Sequence, residues 1–552
     1  MNVVPTGLRE VALRTVFRAE GIEPVRFETK NYPEETNIVV YVSASDFVPA
    51  VELASFIESG VQEPDSRPTF VVVRKTLDGA ENSDSGRISG VQDHRVDELV
   101  RLISARSRVS SIEPSLVYVP DARASLSTIT ASRHHLVFGR RGAGKSALLM
   151  EARREVEREG DLVSWTNIQT LRNESSQRIF LFVLEDLLAT IISGRQSVSP
   201  RSSLALSLSE VHEQIRQLTN RDNTSVEEAM RVVPRAQRAL AQYLAMEGVR
   251  VFAFIDDFYY VPRDSQPAIL DMIHGVTRDT NVWLKIASIR HLTNWWQASP
   301  PTGLQSGQDA DLIDLDVTLQ DPEKASNFLE GILAEYGRRV GIVTLSRVFN
   351  RTALDRLVLA SGAVPRDYMV LAVSALGRAR RRPNARLAGV QDVNQAAGDA
   401  ASSKIQELEE DMAANSGVGE RTLQSLAVIR DFCLDEESFT YFLVGYRDKE
   451  QSPKLYSLLT DLMDVRLIHL IDSGVSDSHQ AGLRFEAYML DLSQFSGSRL
   501  KQRITVLDFE DGHFVSKQTR SGAAPARGGT SLQLIALLRR APEFQLRRLD
   551  PR

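Results

Sequence analysis

Eight residues constrain this chain more than any others: Gly139-Arg140-Arg141-Gly142-Ala143-Gly144-Lys145-Ser146, within "RHHLVFGRRGAGKSALLMEARREVE". Ahead of them, Leu136, Val137 and Phe138 read as a short buried strand, and "SALLMEARREVE" behind them has the spacing of an amphipathic helix. The octet fits G-x-x-x-x-G-K-[ST] at every fixed position. Glycines at these places let backbone N–H groups turn inward toward an anion without Cβ clashes. The helix that starts next adds the positive end of its dipole to the same spot. Strand, glycine turn and helix in this order predict an α/β fold of the P-loop NTPase kind. Gly139, Arg140, Arg141, Gly142, Ala143, Gly144, Lys145, Ser146 and Ala147 are its expected phosphate-binding residues. Lys145 is placed to reach β- and γ-phosphates and the Ser146 hydroxyl to ligate magnesium, so ATP and Mg2+ are the expected cofactors.

A second stretch, "VRVFAFIDDFYYVP", runs apolar from Val249 to Ile255 and then ends in Asp256 and Asp257. A buried strand gains nothing by ending in two like charges. Either it surfaces at a turn, or the carboxylates face a cation. The phosphate loop upstream favours the cation: Asp256 would hold magnesium, directly or through water, opposite Ser146. Asp257 would then stand near the γ-phosphate, where a carboxylate orients or deprotonates the attacking water. Glutamate is common at that place in related enzymes; aspartate is one methylene shorter, which points to slow hydrolysis. A third strand, "NVWLKIASIRH", ends in Ser288, Ile289 and Arg290. Arg290 and Ser288 are candidates to feel the γ-phosphate, against the plain alternative of a surface arginine at a strand end.

With these three motifs in order, the chain resembles AAA+ ATPases of the origin-recognition type and the neighbouring STAND class, over roughly residues 115 to 497. It is similar to a bacterial group of origin-recognition-like AAA ATPases, with counterparts of "KIASIRH", "GLQSGQDADLIDLDVTLQD" and "GLRFEAYMLDLSQFSG". The resemblance implies catalytic roles for Lys145, Asp256, Asp257 and Arg290. It also implies a helical lid beginning at "ASGAVPRDYMVLAVSAL", where Gly362 and Pro365, with Ala363 and Val364 between them, resemble a G-x-P whose proline packs on adenine. Arg366 there occupies the place of a second sensor that reaches the phosphates. Pro365 is equally at home as an ordinary proline in the first turn of a helix. No arginine occurs between Arg290 and Arg338, where a ring-forming relative carries a finger for its neighbour's site. Arg263 and Arg278 are the alternative sources. Without a finger, phosphoryl transfer loses about 10³ to 10⁵ in rate, as suits a slow timer better than a motor.

Length and composition bound the rest. At 552 residues and roughly 150 per domain, three or four units are expected. These are a small α/β unit over 1–122, an ATPase core over 123–320, a helical lid over 321–415, a winged helix over 416–500 and a partly flexible tail over 501–552. Within 1–122, "NIVVYVSA", "TFVVVRKT" and "SLVYVP" read as strands and "VDELVRLISARS" as a helix. Asp46, Glu52 and His94 are single polar residues there and form no catalytic set. "SGRQSVSPRSSLALSLS" reads as a loop, and "LQLIALLRRAPEFQLRRL" as a basic terminal helix.

A formal net charge of -6 exerts no global pull on nucleic acid. The cluster Arg378, Arg380, Arg381, Arg382, Arg386 could grip it, or could be a helix end meeting acidic partners. Residues 420–499 hold thirteen acidic and eight basic side chains, a poor balance for a DNA-reading winged helix. His469, in a strand without a following aspartate, reads as a core histidine; the resemblance suggests an ADP-phosphate contact instead. One cysteine, Cys433, excludes a disulfide framework. The absence of a signal-like start or of a run of about 20 apolar residues points to the cytoplasm and no membrane. The chain is therefore expected to be a slow ATP-driven switch whose ATP/ADP state governs self-association or a protein partner. By fold analogy alone this suggests defence or stress signalling. The alternative is a DNA-associated ATPase that loads or remodels a partner.

Overall fold

In the computed structural model the described residues are 10–20, 22–31, 36–43, 46–60, 69–75, 88–105, 118–120, 123–194, 202–221, 223–290, 292–413, 418–476, 482–496, 503–510, 513–518, 526–528 and 531–550. The chain divides between Ile88 and Ser89. In the first unit, helices α1 (Glu10–Ala19) and α2 (Phe47–Gly60) accompany strands β1 (Arg26–Asn31), β2 (Thr36–Val42) and β3 (Thr69–Lys75). The sheet runs β1-β2-β3, antiparallel and then parallel. Leu13, Phe17, Val40 and Ile57 fill its core.

The division at Ile88 and Ser89 falls inside the 1–122 unit expected from the sequence. Helix α3 (His94–Ala105) belongs to the second unit, where Val96, Leu99 and Ile103 are buried and Asp97 pairs with Arg380. A helix of that spacing needs an apolar partner, and the sequence does not say which one it finds. Residues 118–120 of "SLVYVP" are not a strand; 115–117 lie outside the described residues, as does most of the polar loop expected at 77–90.

After the short helix α4 (Ser125–Ile129), the core is one parallel sheet. Its strands are β4 (His135–Phe138), β5 (Leu162–Asn167), β6 (Val251–Asp256), β7 (Val282–Ser288) and, beyond a small hairpin of β8 (Trp296–Ala298) and β9 (Pro301–Gly303), β10 (Asp311–Asp314). The order is β10-β4-β7-β6-β5, with every neighbour parallel. Parallel pairing requires crossovers. These are α5 (Lys145–Arg158) after β4, then α6 (Ser176–Ser193), α7 (Ser203–Thr219) and α8 (Val226–Glu247) before β6, and α9 (Gln266–Thr277) before β7. Helices on both faces explain why β4 and β6 are buried along their whole length. All five strands end at one edge, where ligands of open α/β sheets collect.

Part of the loop expected at 193–209 is helix, because Ser202 caps α7 by accepting from the Ala205 N–H at 3.1 Å. Four helices follow the sheet: α10 (Pro322–Arg339), α11 (Arg351–Ala360), α12 (Pro365–Arg380) and α13 (Val390–Ala413). Next come α14 (Val418–Asp431), β11 (Tyr441–Gly445), α15 (Tyr446–Gln451), α16 (Pro453–Asp464), β12 (Ile468–Ser476) and β13 (Arg484–Leu490). The three strands form an antiparallel sheet in the order β11-β13-β12. The polar turn at 474–482 is largely outside the described residues.

In and just before the tail, residues 497–502, 511–512, 519–525, 529–530 and 551–552, with most of the stretch expected to be flexible, lie outside the described residues. Strands β14 (Thr505–Glu510), β15 (His513–Gln518) and β16 (Ala526–Gly528) make a sheet, followed by α17 (Ser531–Leu538). Buried Phe544 and Leu546 anchor what was expected to be a basic terminal helix, and the Phe544 N–H donates to the Leu443 carbonyl at 2.7 Å. Here the apolar residues, rather than the arginines, decide the packing.

Candidate functional site

At the sheet's loaded edge, β4 leads into the glycine loop. Gly142 and Gly144 take φ 80 and 99, the left-handed region that glycine adopts without strain. Gly144 is also the residue before α5, so the loop delivers the chain into the helix N-terminus. Lys145 is buried, and its Nζ donates to the carbonyls of Gly139 at 2.7 Å and Arg140 at 3.2 Å. Burial pulls its pKa down, while the charges of Asp256 and Asp257 oppose that pull.

Strand β6 ends directly opposite. Asp256 is buried, and burial together with the Asp257 charge raises its pKa to about 6, against the hydrogen bond from Ser146. The Asp257 N–H donates to the Asp256 Oδ1 at 2.9 Å. Asp257 itself has φ 57, and the side chains of Lys145, Arg141, Tyr259 and Asn167 each pull its pKa down. Burial still dominates and lifts its pKa. Lys145, Ser146, Asp256 and Asp257 thus meet at one place. A hydroxyl beside a carboxylate is a hard-oxygen donor pair of the kind magnesium takes.

Arg290 is positioned differently. It is about half exposed and its guanidinium lies 3.5 Å from the Asp314 Oδ2 and 5.2 Å from the centre of the Phe138 ring. Those partners are on β10 and β4, across the sheet from Asp256. Ser288 is buried and shares a 2.6 Å hydrogen bond with Thr293.

The lid begins against the loop. Gly362 and Ala363 have φ 57 and 62, Pro365 is the first residue of α12, and the Arg366 N–H donates to the Gly142 carbonyl at 3.3 Å. A Cβ on Gly142 would fall 2.7 Å from the Arg366 Cβ, so glycine is needed there for contact as well as for φ. Arg140 continues the seam: its N–H donates to the Asp316 Oδ1 at 2.7 Å and its Nη2 to the Gly362 carbonyl at 3.2 Å.

The C-terminal module also reaches the site, through Arg466, which sequence reasoning missed, and through His469, for which the resemblance suggested a phosphate contact. Arg466 is buried; its Nη1 donates to the Asp367 Oδ1 at 3.0 Å and the Arg141 carbonyl at 3.5 Å. His469 lies against Gly362, whose Cβ would fall 2.2 Å from the His469 Nδ1. The His469 Nε2 is 2.8 Å from the Asp491 Oδ2, and Lys404 donates to the same carboxylate oxygen at 2.9 Å. Burial lowers the His469 pKa against the pull of Asp491. The aspartate missing after His469 in sequence is supplied by the end of the paired strand. Charged residues inside the apolar runs "VRLIHLI" and "YMLDL" were the available signal.

The arginine cluster faces acids. Arg378 pairs with Asp399, Arg380 with Asp97 and Arg382 with Asp392. Of the suggested fingers, Arg263 lies close enough to Asp461 of α16 to oppose a burial-driven rise of that carboxyl to about 6. Among the described residues no helix is long and apolar enough to cross a membrane.

No protein-family profile matches the chain, and no curated protein matches it either. Solved structures are similar at low identity. Aeropyrum pernix Orc1 in complex with DNA is 13% identical with a TM-score of 0.33, over 68% of this chain and 90% of that one. Cdc6p from Pyrobaculum aerophilum is 12% identical with a TM-score of 0.32, over 71% and 94%. The STAND protein PH0952 from Pyrococcus horikoshii, with its tetratricopeptide repeat sensor, is 14% identical with a TM-score of 0.24, over 69% and 42%. These are likenesses of fold alone. The parallel sheet, with its glycine loop after β4 and its acidic pair after β6, is an α/β P-loop NTPase arrangement.

Proposed function

We propose that this chain binds ATP with magnesium, hydrolyses it slowly, and uses the nucleotide state to set whether its lid and C-terminal module stay closed on the phosphate loop. The observation that carries this is the meeting of Lys145, Ser146, Asp256 and Asp257 at the mouth of a glycine cradle. In this reading the loop N–H groups and Lys145 bind phosphate, Ser146 and Asp256 hold the metal, and Asp257 orients the attacking water. The bound nucleotide and metal supply the anhydride to be cleaved and the charge neutralisation of phosphoryl transfer. Pro365 and Arg366 would border the nucleotide from the lid, and Arg290 would act only after leaving Asp314.

The switch part rests on the seam among loop, lid and C-terminal sheet. Arg466 and Arg140 each tie the loop to the lid, so a ligand that moves the loop must disturb both. We read 416–500 as a winged helix used for packing and partner control. Its acidic balance and the acid-paired lid arginines support a protein partner or self-association over DNA.

Titration calorimetry with ATP and Mg2+, phosphate release, and light-scattering mass with ADP or a non-hydrolysable ATP analogue test this. Micromolar ATP binding, turnover below about 1 s⁻¹ (the low end of the usual range) and a nucleotide-dependent mass are expected. Absence of ATP binding sinks the reading.

A further inference from the structure

Strand β11 is an edge of the C-terminal sheet, and a sheet edge offers its backbone groups to any extended segment. Here the end of the chain itself takes them. The Leu443 N–H donates to the Pro542 carbonyl at 2.9 Å, and the Leu443 carbonyl accepts from the Phe544 N–H at 2.7 Å, in a parallel bridge of Leu443 with Glu543. Phe544 is fully buried, its ring tilted edge-on to Phe432 at 5.1 Å and to Phe442 at 5.6 Å between centroids. A 3-10 turn, Leu546–Leu549, follows against α14 and α16, with both leucines buried. The Leu546 N–H donates to the Asp448 Oδ2 at 2.5 Å. Arg548 pairs with Glu436 at 2.8 Å and lies 4.9 Å from the centre of the Phe432 ring.

This is the manner in which a peptide binds a domain: extended backbone added to a sheet edge, with side-chain anchors set in pockets. The partners just named, Phe432 to Asp448, lie far earlier in the chain. Helix α17, which comes immediately before the segment, packs instead against β12 and β16. Between helix and segment there is only a turn, in which the Arg540 and Ala541 N–H groups donate to the Leu537 and Leu538 carbonyls at 3.1 and 3.0 Å. We infer that the β11 groove also receives residues 541–550 of a second copy, and that copies associate by exchanging these segments. Each copy carries one groove and one segment of matching sequence, so two exchanges close a two-fold dimer in which every contact of the single chain is made again. The inference names the surface for the self-association in the proposed function, and it needs no nucleotide.

Charge exchange between full-length variants tests it. Glu436 and Arg548 are 52% and 41% exposed, so Arg548→Glu and Glu436→Arg should each leave the fold intact while setting like charges against each other. Only when the two variants are mixed and trade segments do both grooves regain opposite charges. Native mass spectrometry of the concentrated mixture should show heterodimer at about tenfold over either homodimer, from two surface pairs turned from repulsive to attractive. Tethering gives the chain's own segment an effective concentration in the millimolar range, so wild-type dimer should appear by light scattering only in concentrated samples. An excess of synthetic peptide 540–550 should return it to monomer. Wild-type chain that stays monomeric when concentrated overturns the inference. So does a dimer that the peptide leaves intact, and so does a mixture with merely statistical pairing. Peptide bound to chain that never dimerises would mark the groove as a site for other proteins' segments, and overturns the exchange as well. ATP affinity should be the same in both variants and the wild type, so that this test and the nucleotide reading fail separately.

Discussion

The central sheet buries a lysine at each of its two ends, and the two are built to opposite purposes. At the strand-start end, Lys285 on β7 is fully buried and donates to the carbonyls of Ala131 and Arg133, each at 2.7 Å, with His135 Nδ1 at 2.9 Å. Those are three acceptors for three donors, all from the chain itself. At the strand-exit end, Lys145 has two loop carbonyls for partners. Around it stand a glycine cradle, a helix N-terminus and two carboxyls whose pKa values are pushed up by burial. The Lys285 amine, although burial lowers its pKa to about 6, has its hydrogen bonds closed within the fold and so serves the structure. A lysine surrounded by inward N–H groups and uncomfortable acids is set up for an anion and a metal from outside.

Exchanging the two lysines for alanine should therefore give opposite results. Lys145→Ala should weaken ATP binding by about 100-fold, as expected for losing charge-assisted bonds to phosphate, with little loss of thermal stability. Lys285→Ala should cost about 3 kcal/mol of stability by leaving buried carbonyls unpaired, while the folded fraction binds ATP normally. Calorimetric titration and urea melts on both variants decide it. If Lys285→Ala impaired binding at constant stability, or Lys145→Ala mainly unfolded the chain, the contrast would fail.

Only one of these ends was legible beforehand, for a physical reason. The phosphate loop and the Asp256-Asp257 pair are contiguous in sequence, because each works from a single turn. The Lys285 cluster depends on strand register: His135 lies opposite Lys285 only because β4 pairs with β7 in parallel. His469 found its aspartate in the same way, from the end of the neighbouring strand. The arginine cluster of α12 drew attention as a possible phosphate grip, yet the acids that meet it come from α3 and α13. One of those helices was assigned to another unit. Local chemistry is readable from a string of residues, whereas compensation by distant partners is not.

Arg466 sharpens the contrast, because it resembles Lys285 in burial but sits at the ligand end. It ties Asp367 to the Arg141 carbonyl. Were it only structural, Arg466→Ala would lower the melting temperature and leave nucleotide kinetics alone. As part of a closed seam, its loss should speed release of a fluorescent ADP analogue by about tenfold, since each 1.4 kcal/mol removed from a barrier is one decade. Stopped-flow chase with excess ATP reads this directly. An unchanged release rate removes Arg466 from the switch.

A further effect concerns acid, and belongs to the closed end. His134 and His135 are buried there, and burial, assisted by the Lys285 charge, lowers both to about 3 from an ordinary 6.5. In the unfolded chain they take up protons near the ordinary value, and in the folded chain they resist until far lower pH. Between about 3 and 6.5 the unfolded state therefore binds more protons, and stability falls as pH falls. The slope is at most about 1.4 kcal/mol per pH unit for each histidine; above 6.5 the histidines contribute none, and the burial-lowered Lys285, at about 6, carries the same sign of dependence from there up to its ordinary range. Urea melts at pH 7 and pH 5 should show the loss. His134→Asn with His135→Asn, which keeps acceptors but cannot titrate in this range, should flatten it. ATP affinity of the still-folded chain should be the same in the wild type and the double variant at each pH, since this cluster and the glycine loop lie at opposite ends of β4. If the paired substitution altered binding instead of the acid slope, the division of labour between the two ends of the sheet would be wrong.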